Sequence, residues 1–197
     1  MSNKLHVIYV PGVGDSNPVF QRRVVRTWKL WGVDPELHQI NWAQEASWSK
    51  KHAGLLVRID ELISQNKQVA LVGVSAGGAA VMAAYTDRQE NIVAVVLICG
   101  KLKNPGDIGP KYRNANPALV DAITDSDAAL KKLKHLDVSN ILTRRALFDE
   151  VVTTHEDSIV DGAHNSVSPT IGHAITIGLQ LVFGAPSFLR FLKKHNR

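Results

Sequence analysis

Short apolar runs alternate along the chain with longer segments in which apolar residues recur every three or four positions. The runs predict six strands, at about 5–10, 36–42, 68–74, 91–99, 141–149 and 165–171. The other segments predict helices, at about 18–32, 49–66, 116–136 (with Asn116 as N-cap) and 173–195 (with a break at 184–186). The middle runs are almost wholly apolar, which is typical of parallel strands buried on both faces. The pattern therefore predicts an α/β protein with about six mostly parallel strands and helices on both faces.

A serine stands between two glycines where the third predicted strand meets an alanine-rich helix, in the stretch "VGVSAGG" at 72–78. A sharp strand-to-helix turn leaves no room for side chains two positions before or after its apex, and Gly73 and Gly77 meet that need. Ser75 would then project into solvent as a nucleophile. The alternative interpretation is a tight packing turn that holds an incidental serine.

A serine hydroxyl needs a base to take its proton, and the chain has eight histidines. His173 follows the sixth predicted strand and a glycine, where a base in the chain order Ser–Asp–His should fall. We therefore predict His173 as the base, with His155 and His164 as weaker alternatives.

The acid that orients the base should lie at the carboxyl end of a buried strand. Asp149 ends the fifth predicted strand, whereas Asp157 lies later, in a predicted loop or helix. We predict Asp149 as the acid and keep Asp157 as the alternative. Glu150 is predicted to point the other way.

The exit of the first strand, "PGVGDSN" at 11–17, lets the backbone approach closely because of its two glycines. The N–H groups of Val13 and Ala76 are predicted to form an oxyanion hole, the latter at the start of a helix. The same stretch lacks the third glycine of a dinucleotide fingerprint, and the chain has no P-loop Lys-Ser pair, which argues against a nucleotide-binding domain.

Composition restricts the kinds of partner and metal site that the chain can have. The chain has 197 residues and a net charge of +5, with its basic residues in small scattered groups and no aromatic and basic stripe, so no nucleic-acid partner is expected. The single cysteine, Cys99, permits neither an intrachain disulfide nor a cysteine-based metal cage, and it is interpreted as a buried strand residue.

No signal peptide is visible, so a cytoplasmic location is expected. The late apolar stretch 174–186 is predicted to be too short and broken to span a membrane.

The segments "VPGVGDS", "VGVSAGG", "FDEVV" and "PTIGH" together resemble the α/β-hydrolase superfamily over nearly the whole chain. More narrowly, the chain is similar to the small lidless bacterial lipases and their relatives. The resemblance implies a compact α/β-hydrolase fold, Ser75 as nucleophile, Asp149 as acid, His173 as base, and Val13 and Ala76 as oxyanion donors. It implies no metal or other cofactor. Two positions depart from the family pattern, because Pro11-Gly12 replaces its His-Gly and Val74 replaces its histidine before the serine.

We expect one domain over residues 1–197, with a short cap-like insert at about 100–139 that holds one helix and an irregular loop. Tyr112 and Ile108 are expected to line the site, while Asp107, Lys111 and Arg113 make the insert more polar than a lipid-docking surface. The expected function is cleavage of a small carboxylic ester or thioester. Lipase, thioesterase, acyltransferase and a non-catalytic binding protein remain alternatives on the same fold. The sequence leaves the oligomeric state open.

Overall fold

The computed structural model describes residues 4–196, which form one six-stranded sheet with helices on both faces. The strands are β1 (His6–Val10), β2 (Asp34–Leu37), β3 (Val69–Val74), β4 (Ile92–Ile98), β5 (Ile141–Phe148) and β6 (His164–Ile171). The α-helices are α1 (Val19–Thr27), α2 (Trp48–Ser64), α3 (Ala76–Asp87), α4 (Pro110–Ala115), α5 (Leu119–Leu133), α6 (His173–Leu179) and α7 (Ala185–Lys194). All neighbouring strands pair in parallel in the order β2-β1-β3-β4-β5-β6, so their carboxyl ends share one edge.

Two apolar layers cover the sheet because the central strands are buried on both faces. One layer contains α2, α3 and α5, and it packs residues such as Leu55, Met82 and Ile123 against the sheet. The other contains α1, α6 and α7, with Trp28, Phe188 and Leu192 at its centre. The predicted fold class is therefore confirmed.

The second strand lies earlier than predicted, at Asp34–Leu37 rather than 36–42. Asn41 has a positive φ of 57°, which a strand does not tolerate. The N–H groups of Asn41 and Trp42 donate to the carboxylate of Asp15 at 2.6 and 3.1 Å instead of to a neighbouring strand. Residues 38–42 are thus a loop whose hydrogen bonds hold the exit of β1.

The insert between β4 and β5 differs from the prediction, because it holds two α-helices rather than one. The longer helix, α5, begins at Leu119 with Ala118 as its N-cap, so Asn116 is not the cap. The Asn116 side chain instead donates to the carbonyl of Tyr112 at 2.9 Å, and so fastens the end of α4. Leu119 and Ile123 of α5 belong to the core.

The final helical segment runs from His173 to Lys194 without the predicted break at 184–186. A five-residue π-helical turn, Gln180–Gly184, joins α6 to α7 and lets Pro186 follow without ending the helix. The helical segment is 22 residues long and contains an 18-residue stretch with a mean hydropathy of 1.5, so it is long and apolar enough to cross a membrane by length and composition. The prediction that this stretch is too short and broken was therefore wrong on length. Phe188, Leu189 and Leu192 are buried against the sheet, so one side of the helix packs on the protein while the other side is exposed.

Candidate active site

Ser75 lies at the apex of the turn between β3 and α3, in a backbone conformation that non-glycine residues rarely adopt. Its φ and ψ are 52° and −126°, and its carbonyl accepts hydrogen bonds from the N–H groups of Gly78 and Lys101. Such strain persists only where the surrounding structure holds it, and it is concentrated at functional sites. The turn has the geometry of a nucleophile elbow.

The two glycines of the turn are required by close backbone contacts. A Cβ on Gly73 would lie 2.6 Å from the carbonyl oxygen of Gly77. A Cβ on Gly77 would lie 2.2 Å from the carbonyl oxygen of Val10 and 2.6 Å from that of Pro11. The glycines therefore allow α3 to start directly against β1 and β3.

Ser75, His173 and Asp149 form a hydrogen-bonded chain at the carboxyl edge of the sheet. His173 Nε2 lies 2.9 Å from Ser75 Oγ, and His173 Nδ1 lies 2.8 and 3.0 Å from the two carboxylate oxygens of Asp149. His173 and Asp149 are buried, whereas Ser75 is partly exposed. The imidazole therefore stands between a solvent-accessible hydroxyl and a buried carboxylate, as a serine nucleophile requires.

The Asp149 carboxylate is held in its ionised form. Burial raises its pKa, but the hydrogen bond from His173 and the N–H groups of Val152 and Val151 outweigh burial and lower the pKa below its usual range. Those N–H groups donate to Asp149 Oδ1 at 2.8 and 2.9 Å. An ionised, oriented carboxylate stabilises the imidazolium that forms when the serine gives up its proton.

The alternative acid and bases lie in other surroundings. Asp157 is buried in an ion pair with Lys101, and its other carboxylate oxygen accepts from Asn104. His155 is exposed in a 3-10 turn, His155–Ser158, and His164 is exposed at the start of β6, where its ring contacts Phe191. Only Asp149 and His173 make the hydrogen bonds that lead to Ser75 among the described residues 4–196.

Glu150 does not point away from the site, so that prediction was wrong. Its carboxylate accepts the backbone N–H of His173 at 2.9 and 3.1 Å, and its side chain lines the cavities beside Ser75. Strand alternation does not apply to Glu150 because β5 ends at Phe148 and the chain then bends. Sequence reasoning missed this contact. No local sequence signal marks it, because 23 residues separate Glu150 from His173.

The loop after β1 packs against Ser75 and is fixed from behind by a buried network. Gly12 allows the close approach, since a Cβ there would lie 2.7 Å from Ser75 Cβ. The buried Asp15 carboxylate accepts from Asn41 and Trp42, and the Trp42 indole donates to the carbonyl of Pro11 at 3.2 Å. These contacts position Val13 beside Ser75 although the family's histidine is absent at position 11.

A lysine holds the far side of the same network. Lys51 is buried, and its ammonium donates to the backbone carbonyls of Asn41, Trp42 and Gln44. Burial lowers the pKa of Lys51, while the nearby Asp15 carboxylate acts in the opposite direction. Sequence reasoning found none of these partners because they lie in separate segments and follow no local motif.

Cys99 lies directly behind the acid and base rather than within β4. It is fully buried, has a φ of 47°, and belongs to a cluster with Asp149 and His173 whose ligand atoms lie within 4.8 Å of one another. Burial and the Asp149 carboxylate raise the pKa of its thiol to about 12. A protonated thiol is a poor metal ligand, and the other two groups are bonded to each other, so the cluster does not fit a resident metal.

Two cavities adjoin Ser75 and share Val13, Tyr112, Glu150 and Val151 as lining residues. One, of about 210 Å³, is lined by Val13 and Ala76 and by apolar residues of the insert and the following loop, namely Ile108, Tyr112, Leu119, Ile123 and Val152. Lys101 and Asp107 add charged groups to its wall. The other, of about 360 Å³, is lined by His173, Phe20, Ile177 and Leu181. The predicted positions of Ile108 and Tyr112 beside the site are confirmed.

Comparisons with known proteins agree with this architecture. No protein-family model and no curated protein sequence matches the chain. Among solved structures, one from work on LipS and LipT, two metagenome-derived lipolytic enzymes, superposes with a TM-score of 0.74 and 16% identity, over 98% of this chain and 95% of the other. Est1E from Butyrivibrio proteoclasticus superposes with a TM-score of 0.70 and 15% identity, over 97% of this chain and 88% of the other. A monoacylglycerol lipase from Paleococcus ferrophilus superposes with a TM-score of 0.67 and 14% identity, over 96% of this chain and 94% of the other. The chain therefore has the α/β-hydrolase fold.

Proposed function

We propose that this protein is a serine hydrolase that cleaves carboxylic esters through an acyl-enzyme on Ser75. The observation that carries the proposal is the continuous path from Ser75 Oγ to His173 at 2.9 Å and on to Asp149 at 2.8 Å, built on a strained elbow. A folding role alone does not require a serine in a left-handed conformation. The structural neighbours named as lipolytic enzymes, an esterase and a lipase support the same class of reaction.

In the proposed reaction, Ser75 Oγ attacks the ester carbonyl while His173 Nε2 takes the hydroxyl proton. The tetrahedral oxyanion accepts hydrogen bonds from the N–H groups of Val13 and Ala76, and the positive end of α3 stabilises its charge. The C–O bond to the alcohol then breaks as His173 returns the proton to the departing oxygen. Water attacks the acyl-enzyme in the reverse sequence, which releases the acid and restores the Ser75 hydroxyl.

We assign the two halves of the ester to the two cavities by the residues that line them. His173 must protonate the leaving oxygen, so the alcohol lies on its side, in the cavity lined by Phe20 and Ile177. The acyl chain then enters the other cavity, against Ile108 and Ile123. Its volume of about 210 Å³ is below the roughly 300–1,000 Å³ of pockets that hold drug-sized ligands, so we propose short acyl chains as substrates.

The direct test is intact-mass analysis after treatment with a fluorophosphonate, in which a serine oxygen bonds to phosphorus and fluoride leaves. We expect one adduct on the wild-type protein and none on Ser75→Ala. Ser139→Ala, at an exposed position far along the chain, should label like the wild type. A panel of p-nitrophenyl esters and matched thioesters of graded acyl length then defines the substrate. Absence of an adduct on folded wild-type protein would contradict a catalytic role and favour a binding protein on this fold.

A further inference from the structure

The charges of the chain are distributed unevenly between the two faces of the sheet. Segments 16–33 and 162–197 contain eight of the 23 Lys and Arg residues and none of the 18 Asp and Glu residues. The eight are Arg22, Arg23, Arg26, Lys29, Arg190, Lys193, Lys194 and Arg197. The rest of the chain is therefore slightly acidic, and the net charge of +5 arises from these two segments.

The helical parts of the two segments, 19–31 and 173–194, lie next to each other in one layer, although about 140 residues separate them in sequence. The Trp28 indole donates to the carbonyl of Leu181 at 3.1 Å, and its ring packs edge-on against Phe188 with centroids 5.2 Å apart. At the other end of the layer, Lys193 Nζ donates to the carbonyl of Trp31 at 3.0 Å. Helix α1 and the α6–α7 segment therefore present one common outer surface.

This outer surface is apolar as well as basic. Large hydrophobic side chains are exposed on both of its parts, at Val19, Phe20, Leu30, Trp31, Ile175, Leu179, Val182 and Phe183. Leu30 is 85% exposed and Phe183 is 76% exposed. Along α6 and the π-helical turn that follows it, the exposed residues Ile175, Leu179 and Phe183 recur every four positions, on the side away from the buried His173 and Leu181. We call the surface formed by these apolar residues and the surrounding Lys and Arg residues the basic apolar face.

The cations of this face are not neutralised within the protein. Among the described residues 4–196, no carboxylate lies within 4.0 Å of the ammonium or guanidinium groups of Arg22, Arg23, Arg26, Lys29, Arg190, Lys193 or Lys194. By contrast, Lys131 on the opposite layer pairs with Asp127, Arg58 with Glu36, and Arg88 with Asp60. The face therefore offers uncompensated positive charge around exposed hydrocarbon.

We propose that the basic apolar face docks the protein on the surface of a bilayer that contains anionic phospholipid. Exposed aliphatic and aromatic side chains with Lys and Arg around them are the pattern of helices that lie in the membrane interface. Anionic headgroups attract each nearby cation, while the apolar side chains enter the acyl boundary. The buried sides of Phe188 and Leu192 keep the helix in the protein, so the contact is peripheral and does not span the bilayer.

Two other partners, a second copy of the chain and a nucleic acid, match this face less well. A second copy seated on it would bring two uncompensated basic surfaces together, which is unfavourable. A nucleic acid would match the charge, but single strands are bound by stacking on aromatic rings, and most of the exposed apolar residues here are aliphatic: Val19, Leu30, Ile175, Leu179 and Val182, against Phe20, Trp31 and Phe183. An anionic lipid surface is the partner that matches both the charge and the hydrocarbon.

The proposed docking surface reaches the mouth of the larger cavity. Phe20 belongs to the basic apolar face and also lines the cavity that contains His173. Ile177 of α6 and Leu181 of the π-helical turn line the same cavity. A docked molecule would therefore hold this opening close to the lipid headgroups.

The test is co-sedimentation of the purified full chain with vesicles of phosphatidylcholine alone and of phosphatidylcholine with 40% phosphatidylglycerol. The assay uses Ser75→Ala, so the result is independent of catalysis and of the proposed ester hydrolysis. We expect binding only to the anionic vesicles, and weaker binding as salt rises from 50 to 300 mM. The triple substitution Arg23→Gln, Arg26→Gln, Lys29→Gln should weaken binding about 100-fold, since each cation at the surface contributes about fivefold.

A matched triple substitution on the opposite layer separates this face from net charge. Lys131→Gln, Lys132→Gln, Lys134→Gln removes the same three charges and should leave vesicle binding within about threefold of the parent. Ile175→Ser with Phe183→Ser should weaken the binding that persists at 300 mM salt. Equal loss in both triple variants, or no binding to anionic vesicles at 50 mM salt, would overturn the proposal. A lipid-free dimer that Phe183→Ser dissociates would assign the face to a second copy, and tighter binding to oligonucleotides than to vesicles would assign it to nucleic acid.

Discussion

The carboxylate of Glu150, the residue that follows Asp149, accepts the backbone N–H of His173 at 2.9 and 3.1 Å. Asp149 holds the imidazole of the same histidine through Nδ1. Consecutive carboxylates therefore fix the backbone and the side chain of one residue. Gly172 before it has a φ of 98°, which favours glycine, and its N–H donates to the carbonyl of Phe148 at 2.9 Å.

Glu150 is predicted to be a positioning residue for His173. Glu150→Ala should lower kcat for a soluble ester by about 10- to 100-fold, because a small displacement of the base disrupts proton transfer. Glu150→Gln keeps an oxygen that accepts the N–H and should restore most of kcat. The measurement is a comparison of kcat and KM for both variants, together with their melting temperatures.

The split between kcat and KM distinguishes positioning from cavity shape, since Glu150 also lines the cavities. Loss of kcat with a nearly constant KM, and rescue by glutamine, agrees with positioning. A rise in KM alone would assign Glu150 to substrate binding instead.

Asp149 and Asp157 are predicted to give opposite results when each is changed to asparagine. Asp149→Asn should lower kcat by up to about 10⁴-fold, because asparagine no longer fixes the imidazole in the tautomer that accepts the serine proton. Asp157→Asn should keep kcat within a small factor but lower the free energy of unfolding by about 3 kcal/mol, because it leaves Lys101 without its buried partner. Kinetics on a chromogenic ester and urea denaturation measure the two effects. A large loss of kcat in Asp157→Asn with Asp149→Asn still active would reverse the assignment.

The elbow was predictable from sequence because its constraints are local. Gly73, Ser75 and Gly77 are fixed by the contacts of a single turn, while Asp149 and His173 each follow a strand at the carboxyl edge of the sheet. Asp149 and His173 could therefore be placed from their positions at strand ends.

The supporting residues were not predictable because their contacts join distant segments. Asp15 binds the N–H groups of Asn41 and Trp42, and Lys51 binds the carbonyls on the other side of the same loop. The sequence predicted a strand over 36–42, but residues 38–42 form this loop. Ile40 and Trp42 are buried in the loop, as they would be in a strand, so their apolar character did not distinguish the two. A hydrophobic pattern predicts which residues are buried, but it does not predict which groups their backbone N–H and C=O will hydrogen-bond to.

Gly77 and Gly54 are predicted to respond in opposite ways to substitution by alanine. Gly77→Ala should lower the free energy of unfolding by about 3 kcal/mol, because its Cβ would lie within 2.6 Å of two backbone carbonyl oxygens, those of Val10 and Pro11. Gly54 lies on the exposed side of α2 with no heavy atom within 4 Å of an added Cβ. Gly54→Ala should raise the free energy by about 0.5–1 kcal/mol. Urea denaturation of both variants measures the difference, and equal stability of the two would show that the elbow is looser than its geometry implies.

Acid is predicted to destabilise the fold through Glu36, on the edge strand β2. Burial raises the pKa of Glu36, but hydrogen bonds from Arg58 at 2.7 and 2.8 Å and the nearby His6 outweigh burial and lower the pKa to about 2. A carboxylate with a lowered pKa in the folded state contributes stability above its ordinary pKa near 4.5, and that contribution is lost as pH falls towards 2. Because the side chain is partly exposed, we expect about 1–2 kcal/mol.

Arg58→Met tests this assignment against a matched pair elsewhere on the surface. It should lower the free energy of unfolding at pH 7 by about 1–2 kcal/mol and flatten its decline between pH 4.5 and 2, because the Glu36 pKa then returns towards its usual range. Arg88→Met removes a similar two-point pair with Asp60 that is more exposed, and it should change the free energy by less than about 1 kcal/mol. Denaturation with urea at several pH values measures both variants. An unchanged pH dependence in Arg58→Met would show that other carboxylates govern acid unfolding, since the Glu36 contribution is the part that this substitution removes.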